Sequence, residues 1–258
     1  AGEVFNAAGM VVEATYSNGA TLVCTGYSVS PSGALSAGTT NVTIQYTEGG
    51  VTKTATQTIS VTKTSVAIPT QSGSLTYTGS SQSPTWSNYN TTYMTIGGTT
   101  SGTNAGSYSA TFTLKDTSLY QWSDGTTTAK SVSWSIGKAA GKITLNKTSI
   151  TLNASAKAAT FTVSRLGTGK ITVTSGSTGV ATVSPASSTS SGTVTFTVTS
   201  VNDTTGSAVI TIAVAADNNY YAPSNAMVNV SAAFASSFGV CWNYGLSLIH
   251  ISEPTRLR

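Results

Sequence analysis

The chain has 258 residues, 39% hydrophobic, 8% aromatic and 8% charged, with 12 Lys and Arg, 8 Asp and Glu, one His and a formal net charge of +4. That apolar share excludes a disordered polyelectrolyte, and because about a third of the residues are Ser or Thr the surface must be hydroxyl-rich instead of ionic. The basic residues are scattered, and even Lys130, Lys138, Lys142 and Lys147 interleave with apolar and hydroxyl residues, so no Arg-rich stripe exists to track phosphates and nucleic acid is not an expected partner.

From residue 10 onward, apolar and polar residues alternate in runs punctuated by Gly, Asn, Pro and Ser at intervals of about 8–12 residues, the pattern of an all-β sandwich or barrel. Met10, Val12, Ala14 and Tyr16 share one strand face, and Asn18-Gly19 follows as a turn tolerant of positive φ. Leu22 to Ser30 is expected to be a second strand. Val42, Ile44 and Tyr46 define an inward face, Glu48-Gly49-Gly50 closes a hairpin, and Val51 to Val61 returns as a Thr-rich strand.

This phrase recurs. Ala37-Gly38 before Val42–Tyr46 is echoed by Ala105-Gly106 before Tyr108–Leu114 and by Ser191-Gly192 before Val194–Val198. Further strands follow, carrying Ile59 and Val61, then Val132, Trp134 and Ile136, then Val209, Ile210, Ile212 and Val214. A lone hairpin cannot bury its apolar face, so each phrase implies its own small sandwich, and three modules are expected at 1–63, 64–138 and 139–232. The junctions at Thr62–Ser65 and Ile136–Gly141 lack a long Pro or Gly/Ser tract, which predicts modules set end to end as a rod. Cys24 and Cys241 fall outside a common module, so a framework disulfide is not expected. No run of about 18 apolar residues and no opening signal-peptide pattern occurs, so membrane insertion by these residues is not expected either.

Gly9–Gly19, Thr25–Gly33 and Val42–Thr52 together resemble a group 3 bacterial immunoglobulin-like domain over residues 4–61. The resemblance implies a β-sandwich, and since such domains begin with a strand ahead of the Phe5 region, it implies that the first module lacks its N-terminal strand. Leu75–Gly79, Gln82–Pro84, Gly102–Gly106 and Tyr120–Trp122 are similar to the all-β repeats of bacterial surface and adhesin stalks and of phage structural proteins. Ile143–Leu152, Val180–Val183 and Ala208–Ile212 resemble a group 2 bacterial immunoglobulin-like domain, from which the long loop Ala216–Pro223 departs. Residues 233–245 would open a further, truncated segment. Leu246–Arg256 resembles the in-frame translation of a transposase-type sequencing adaptor, and 246–258 is expected to be an artefact that carries the one histidine, His250, out of the natural sequence.

Without His250 no base near neutral pKa remains for a nucleophilic triad, and the other acids form no clustered pair for glycoside hydrolysis. No Gly-rich loop opens a helix to hold a phosphate, so neither catalysis nor a cofactor is expected. Asp217-Asn218-Asn219 and Asn202-Asp203 each bring one acid, too few for calcium, and read as Asx turns. Glu13 alternates with Val12 and Ala14 and should face solvent, which disfavours an intramolecular isopeptide bond. The six Asn-x-Ser/Thr sequons are what so Ser/Thr-rich a chain yields by chance.

Trp134, between Val132 and Ile136, is expected in the core. Trp86, Tyr89, Tyr93, Tyr120 and Trp122 flank turns of the middle module. A buried aromatic cluster is the favoured reading there, with Trp86, Tyr89, Tyr120 and Trp122 as the candidates for stacking on a sugar or partner peptide. The sequence thus predicts a non-catalytic fragment of a bacterial extracellular or cell-surface protein, its tandem modules acting as spacer or adhesive stalk, with surface glycans or proteins as partners. The alternatives are a phage virion protein using such modules for weak host or mucus attachment, and a carbohydrate-binding module at 64–138.

Overall fold

A computed structural model describes residues 1–234. The expected segments 233–245 and 246–258, with Cys241 and His250, lie outside these residues except for Ala233 and Phe234. Every regular element among the described residues is a β-strand. The chain forms two compact units, one of residues 1–140 with 217–221 and one of 141–216 with the described residues from 222.

In the first unit, β1 (Glu13–Thr15) and β2 (Thr21–Val23) form a hairpin in which Ala14 faces Leu22. Asn18-Gly19 makes the turn: Gly19 has φ +84°, its N–H reaches the Tyr16 carbonyl, and Asn18 Oδ1 accepts from Ala20 N at 3.0 Å. β3 (Ser28–Ser30), β4 (Asn41–Glu48) and β5 (Val51–Thr58) form a second, antiparallel sheet. Gly49 and Gly50 both have positive φ, the requirement of a two-residue hairpin turn whose twist matches the strands. The expected strand Leu22–Ser30 is broken in two, because Gly26 at φ +80° turns the chain between β2 and β3. Val42 is fully buried and Ile44 nearly so, as their alternation predicts, and Glu13 is exposed. The strand expected to reach Val61 ends at Thr58 and buries no residue.

The same unit continues with β6 (Thr64–Val66), β7 (Thr70–Ser72), β8 (Leu75–Thr76), β9 (Thr85–Ser87), β10 (Met94–Gly98), β11 (Gly106–Leu114), β12 (Tyr120–Trp122) and β13 (Lys130–Gly137). The main sheet runs β10-β11-β13-β8, flanked by the pairs β12-β6 and β7-β9, and no sheet mixes these strands with β1–β5. Ala110, Phe112 and Leu114 of β11 and Trp134 and Ile136 of β13 point inward with Met94, Val66 and Trp122. Tyr108 lies opposite Trp134 across the strands, the rings stacked at 4.5 Å, and the buried indole donates to the Thr99 carbonyl at 2.7 Å.

The second unit comprises β14 (Ile143–Leu145), β15 (Ser149–Asn153), β16 (Ala158–Arg165), β17 (Ile171–Ser175), β18 (Ala181–Ser184), β19 (Ser187–Ser188), β20 (Val194–Ser200), β21 (Gly206–Val214) and β22 (Ala226–Ala233). A four-stranded sheet, β14-β16-β20-β18, faces a five-stranded one, β15-β22-β21-β17-β19. Phe161 and Phe196, fully buried and paired across β16 and β20, stack at 5.6 Å within a core that draws Ile150, Leu152, Ile210 and Val228 from the other sheet. Ile210, Ile212 and Val214 point inward, whereas Val209, grouped with them by sequence, is exposed because adjacent strand residues face opposite ways.

Gly169 sits where a Cβ would lie 1.8 Å from the Ala215 carbonyl oxygen, a contact that backbone alone must relieve. Gly169→Ala should therefore cost the second unit about 2–3 kcal/mol in denaturant unfolding. Gly179→Ala, with open space around it and no positive φ, should change stability by less than about 0.5 kcal/mol. Equal effects at the two positions would refute this packing.

Candidate functional site

Among the described residues no polar or charged residue is buried, and no group of three or more His, Cys, Asp or Glu is placed to hold a metal ion. The four aspartates among the described residues serve turns and ion pairs. Asp116 accepts from the Ser118 hydroxyl at 2.5 Å and from the Ser118 and Leu119 amides, hydrogen bonds that lower its carboxyl pKa. Asp124 pairs with Lys130 Nζ at 2.5 Å and accepts from the Thr126 hydroxyl and amide, which together bring it down to about 2. Asp203, at φ +53°, pairs with Lys157 at 2.5 Å, and Asp217 Oδ1 accepts from the amides of Asn219 and Tyr220, an Asx-type turn.

The four candidate stacking residues separate by burial. Trp122 is fully enclosed, and its indole N–H donates to the Thr128 carbonyl at 2.8 Å. It presents no ring face to a ligand, which corrects its placement among the stacking candidates. Trp86, Tyr89 and Tyr120 are half-buried. Trp86 and Tyr89 both set their rings edge-on against Phe112, at 4.9 and 5.7 Å, and so cap the core from outside. Tyr120 packs beside Tyr93 at 5.1 Å.

Tyr89 and Tyr93 line a depression of about 380 Å³ between residues 64–67 and 88–90, with Thr64, Ser65, Asn88 and Asn90 supplying hydroxyls and amides. Asn90 fixes its rim, since its side chain accepts from Thr92 N at 2.8 Å and its carbonyl from the amides of Tyr93 and Met94. Partly exposed rings beside hydrogen-bonding groups suit a polar, hydroxylated ligand. Tyr93, another of the turn-flanking aromatics, joins Tyr89 here because the depression brings together segments distant in sequence.

A larger cleft, about 560 Å³, opens between β1 and the β4–β5 hairpin, with Val12, Ala14, Cys24, Ile44 and Ala55 among its lining residues. At its mouth the Tyr16 hydroxyl donates to Glu48 Oε2 at 2.5 Å. The carboxylate holds the phenol in its protonated form, and with partial desolvation raises its pKa to about 12. Tyr46 is also raised, first by desolvation and then by the charge of Glu48.

Residues 1–63 match the bacterial Ig-like domain (group 3) family. This is the segment of β1–β5 and the larger cleft. No curated protein matches the chain in sequence. Among solved structures, domains 1–6 of the surface layer protein SbsC are similar at 16% identity and a TM-score of 0.34, over 87% of this chain and 37% of that one. The D00–D0 domains of intimin share 15% identity at a TM-score of 0.27, over 62% and 99% of the two chains. FdeC, an Escherichia coli adhesin, shares 10% at a TM-score of 0.27, over 80% and 81%. The chain thus spans well under half of the surface layer structure it matches.

Tyr16 titrates at about 12 in the folded chain against about 10 when unfolded. Its bond to Glu48 is therefore fully present below pH 10 and lost as pH rises through about 12. Glu48→Gln should return the Tyr16 titration toward 10, followed by NMR of ring-labelled tyrosine. An unchanged titration in that variant would show that the carboxylate is not its cause.

Proposed function

We propose that these residues are non-catalytic modules of a bacterial extracellular or cell-surface protein, three tandem Ig-like sandwiches at 1–63, 64–138 and 139–232 that act as a spacer or adhesive stalk. The observation that carries this reading is the division of polar chemistry in the described residues. Cores are wholly apolar, and the carboxylates whose pKa values are lowered are held by turns and a lysine instead of being poised in a cavity. Active sites gather perturbed titratable groups in clefts, and the two phenols beside the larger cleft, Tyr16 and Tyr46, are instead pushed further from neutral pH, where a general acid or base would need to lie. The group 3 match of residues 1–63 supports the same reading.

A stalk of separately cored modules should resist force one module at a time. Pulling the full chain from both ends is expected to give three unfolding events of roughly 220–330 Å, the extension of modules of about 63, 75 and 94 residues at ~3.5 Å per residue. A single event spanning the chain would count against the three-module division and the spacer role together.

Contact with a glycan at 64–138 is a second reading, favoured by the depression at Tyr89 and Tyr93 and its hydroxyl and amide rim. On a glycan array, Tyr89→Ala and Tyr93→Ala should each weaken binding about tenfold, as loss of ring contact worth ~1.4 kcal/mol implies. Trp122→Phe, a change inside the core, should leave binding intact. Binding that is absent from the folded chain, or indifferent to both tyrosine changes, refutes this reading.

A further inference from the structure

Two loops open on the same turn. Asp116-Thr117-Ser118-Leu119-Tyr120 and Asp217-Asn218-Asn219-Tyr220-Tyr221 share an Asp, a polar residue two places on and a Tyr four places on. They lie ahead of β13 and β22, the last long strands of residues 64–138 and 139–232. In both, Asp Oδ1 accepts from the amides two and three residues on, at 2.8 and 3.3 Å for Asp116 and at 2.8 and 2.7 Å for Asp217. Each turn aims a carbonyl at the first residue of its segment: Leu119 O accepts from Thr64 N, and Asn219 O from Ala139 N. Tyr120 then pairs with Thr64, and Tyr220 with Ala139, both in parallel.

The second turn, Asp217–Tyr221, belongs to the first unit, although the residues on either side of it do not. Its side chains hold it there. Asn219 Oδ1 accepts from Ala105 N at 2.8 Å, and its Nδ2 donates to Asn104 Oδ1 at 3.2 Å. The Tyr220 ring meets Tyr77 edge-on at 5.3 Å, and Lys138 Nζ donates to the Asp217 carbonyl at 2.6 Å. The receiving residues are themselves fixed from behind: the Tyr108 hydroxyl donates to the Asn104 carbonyl at 2.6 Å, and Tyr77 N to the Gly137 carbonyl at 2.9 Å. Asn219 and Tyr220 are half-buried, whereas Asn218 beside them is exposed.

We propose that Tyr77, Asn104 and Ala105 form a docking surface whose partner is the Asp-led turn at residues 217–221, and that the docked turn is a clasp that stabilises the 64–138 sandwich from outside its own sequence. A segment that binds the folded form and not the unfolded one stabilises it by linkage. The surface selects by chemistry. A backbone N–H beside a side-chain oxygen calls for a carboxamide, which both accepts and donates, where a carboxylate only accepts. The Tyr77 ring calls for an aromatic residue at the next position. The turn at Asp116 carries Ser118 and Leu119 there and meets neither demand, and its Leu119 lies instead against Gly2, where an added Cβ would come within 3.0 Å of Cδ2. The inference goes beyond the stalk reading, because modules joined by their linkers alone would serve equally as a spacer.

The test is amide hydrogen exchange of the full chain, followed residue by residue by NMR. Asn219→Ala is expected to speed exchange at Ala105 and across β11 and β13 about tenfold, and Asn218→Ala to change it less than about twofold. Tyr77→Ala and Tyr220→Ala complete a double-mutant cycle. Because the two rings act on each other, the double variant should keep at least about threefold more protection in β11 and β13 than the product of the single losses allows. Exchange in β11 and β13 that is indifferent to Asn219→Ala, equal effects of the Asn218 and Asn219 changes, or single losses that simply multiply each overturn the proposal. Where Tyr220→Ala also strips protection from β20–β22, Tyr220→Leu takes its place in the cycle and is read the same way.

Discussion

Parallel pairing of an early strand with the last one is the contact on which each closed sandwich here depends. A β-strand leaves two problems at a sheet edge, a row of unpaired amides and carbonyls and a side-chain face with nothing opposite it. In the second unit β15 resolves both for β22: five residues pair in register, and Ile150 and Leu152 enter the core beside Val228, Val230 and Ala232. Each such side chain contributes about 1.5–3 kcal/mol on burial, so one short strand does much to decide whether a core is sealed. Between β8 and β13 only Leu75 and Thr76 pair, and the large rings of Trp122, Trp134 and Phe112 fill what short strands leave open.

Low charge follows from how the outward faces are built. Thr suits a pleated, half-buried surface, and its hydroxyl finds partners across strands without the desolvation cost of an ion. Ser109 and Ser131 meet at 2.7 Å, and Thr47 and Thr52 at 2.9 Å across the β4–β5 hairpin. The exposed Lys157–Asp203 pair, by contrast, contributes little to stability in water. Exposed hydroxyls and apolar interiors together leave few groups with a perturbed charge, and those are held by Ser118 at Asp116, by Lys130 and Thr126 at Asp124, and by Glu48 at Tyr16.

Alternation made much of this architecture readable in advance. Val42 with Ile44, Trp134 with Ile136, and Ile210 with Ile212 and Val214 are inward as their spacing requires, and both Asn18-Gly19 and Gly49-Gly50 turn the chain where expected. The misreadings have local causes. A period of two has little meaning over three residues, so β12 did not tell Trp122, which enters the core, from Tyr120, which stays half-buried. The tyrosine-lined depression needs residues 64–67 against 88–93, a pairing that strand grammar does not encode. The exposure of β5 did have a signal: its inward positions include Lys53 and Gln57, which no sealed core of this kind would take, while the Thr residues between them drew attention only as strand formers.

The consequence is a gradient of stability within one style of sandwich. The second unit buries sixteen apolar residues in a continuous cluster, whereas the buried apolar residues of 1–63 are Cys24, Leu35, Val42 and Ile44. Val11, Leu22, Val23 and Val51 remain exposed there. Local opening is governed by how many apolar contacts and protected backbone bonds must break, so β1, β2 and β5 belong to the low end of that scale and β20–β22 to the high end. The Tyr16–Glu48 bond works against this weakness, because it links the strand leaving β1 to the β4–β5 turn across the mouth of the cleft. It fixes the two walls at one point only and leaves the inward face of β5 uncovered, so the segment is held together at its rim while its interior surface stays open to solvent.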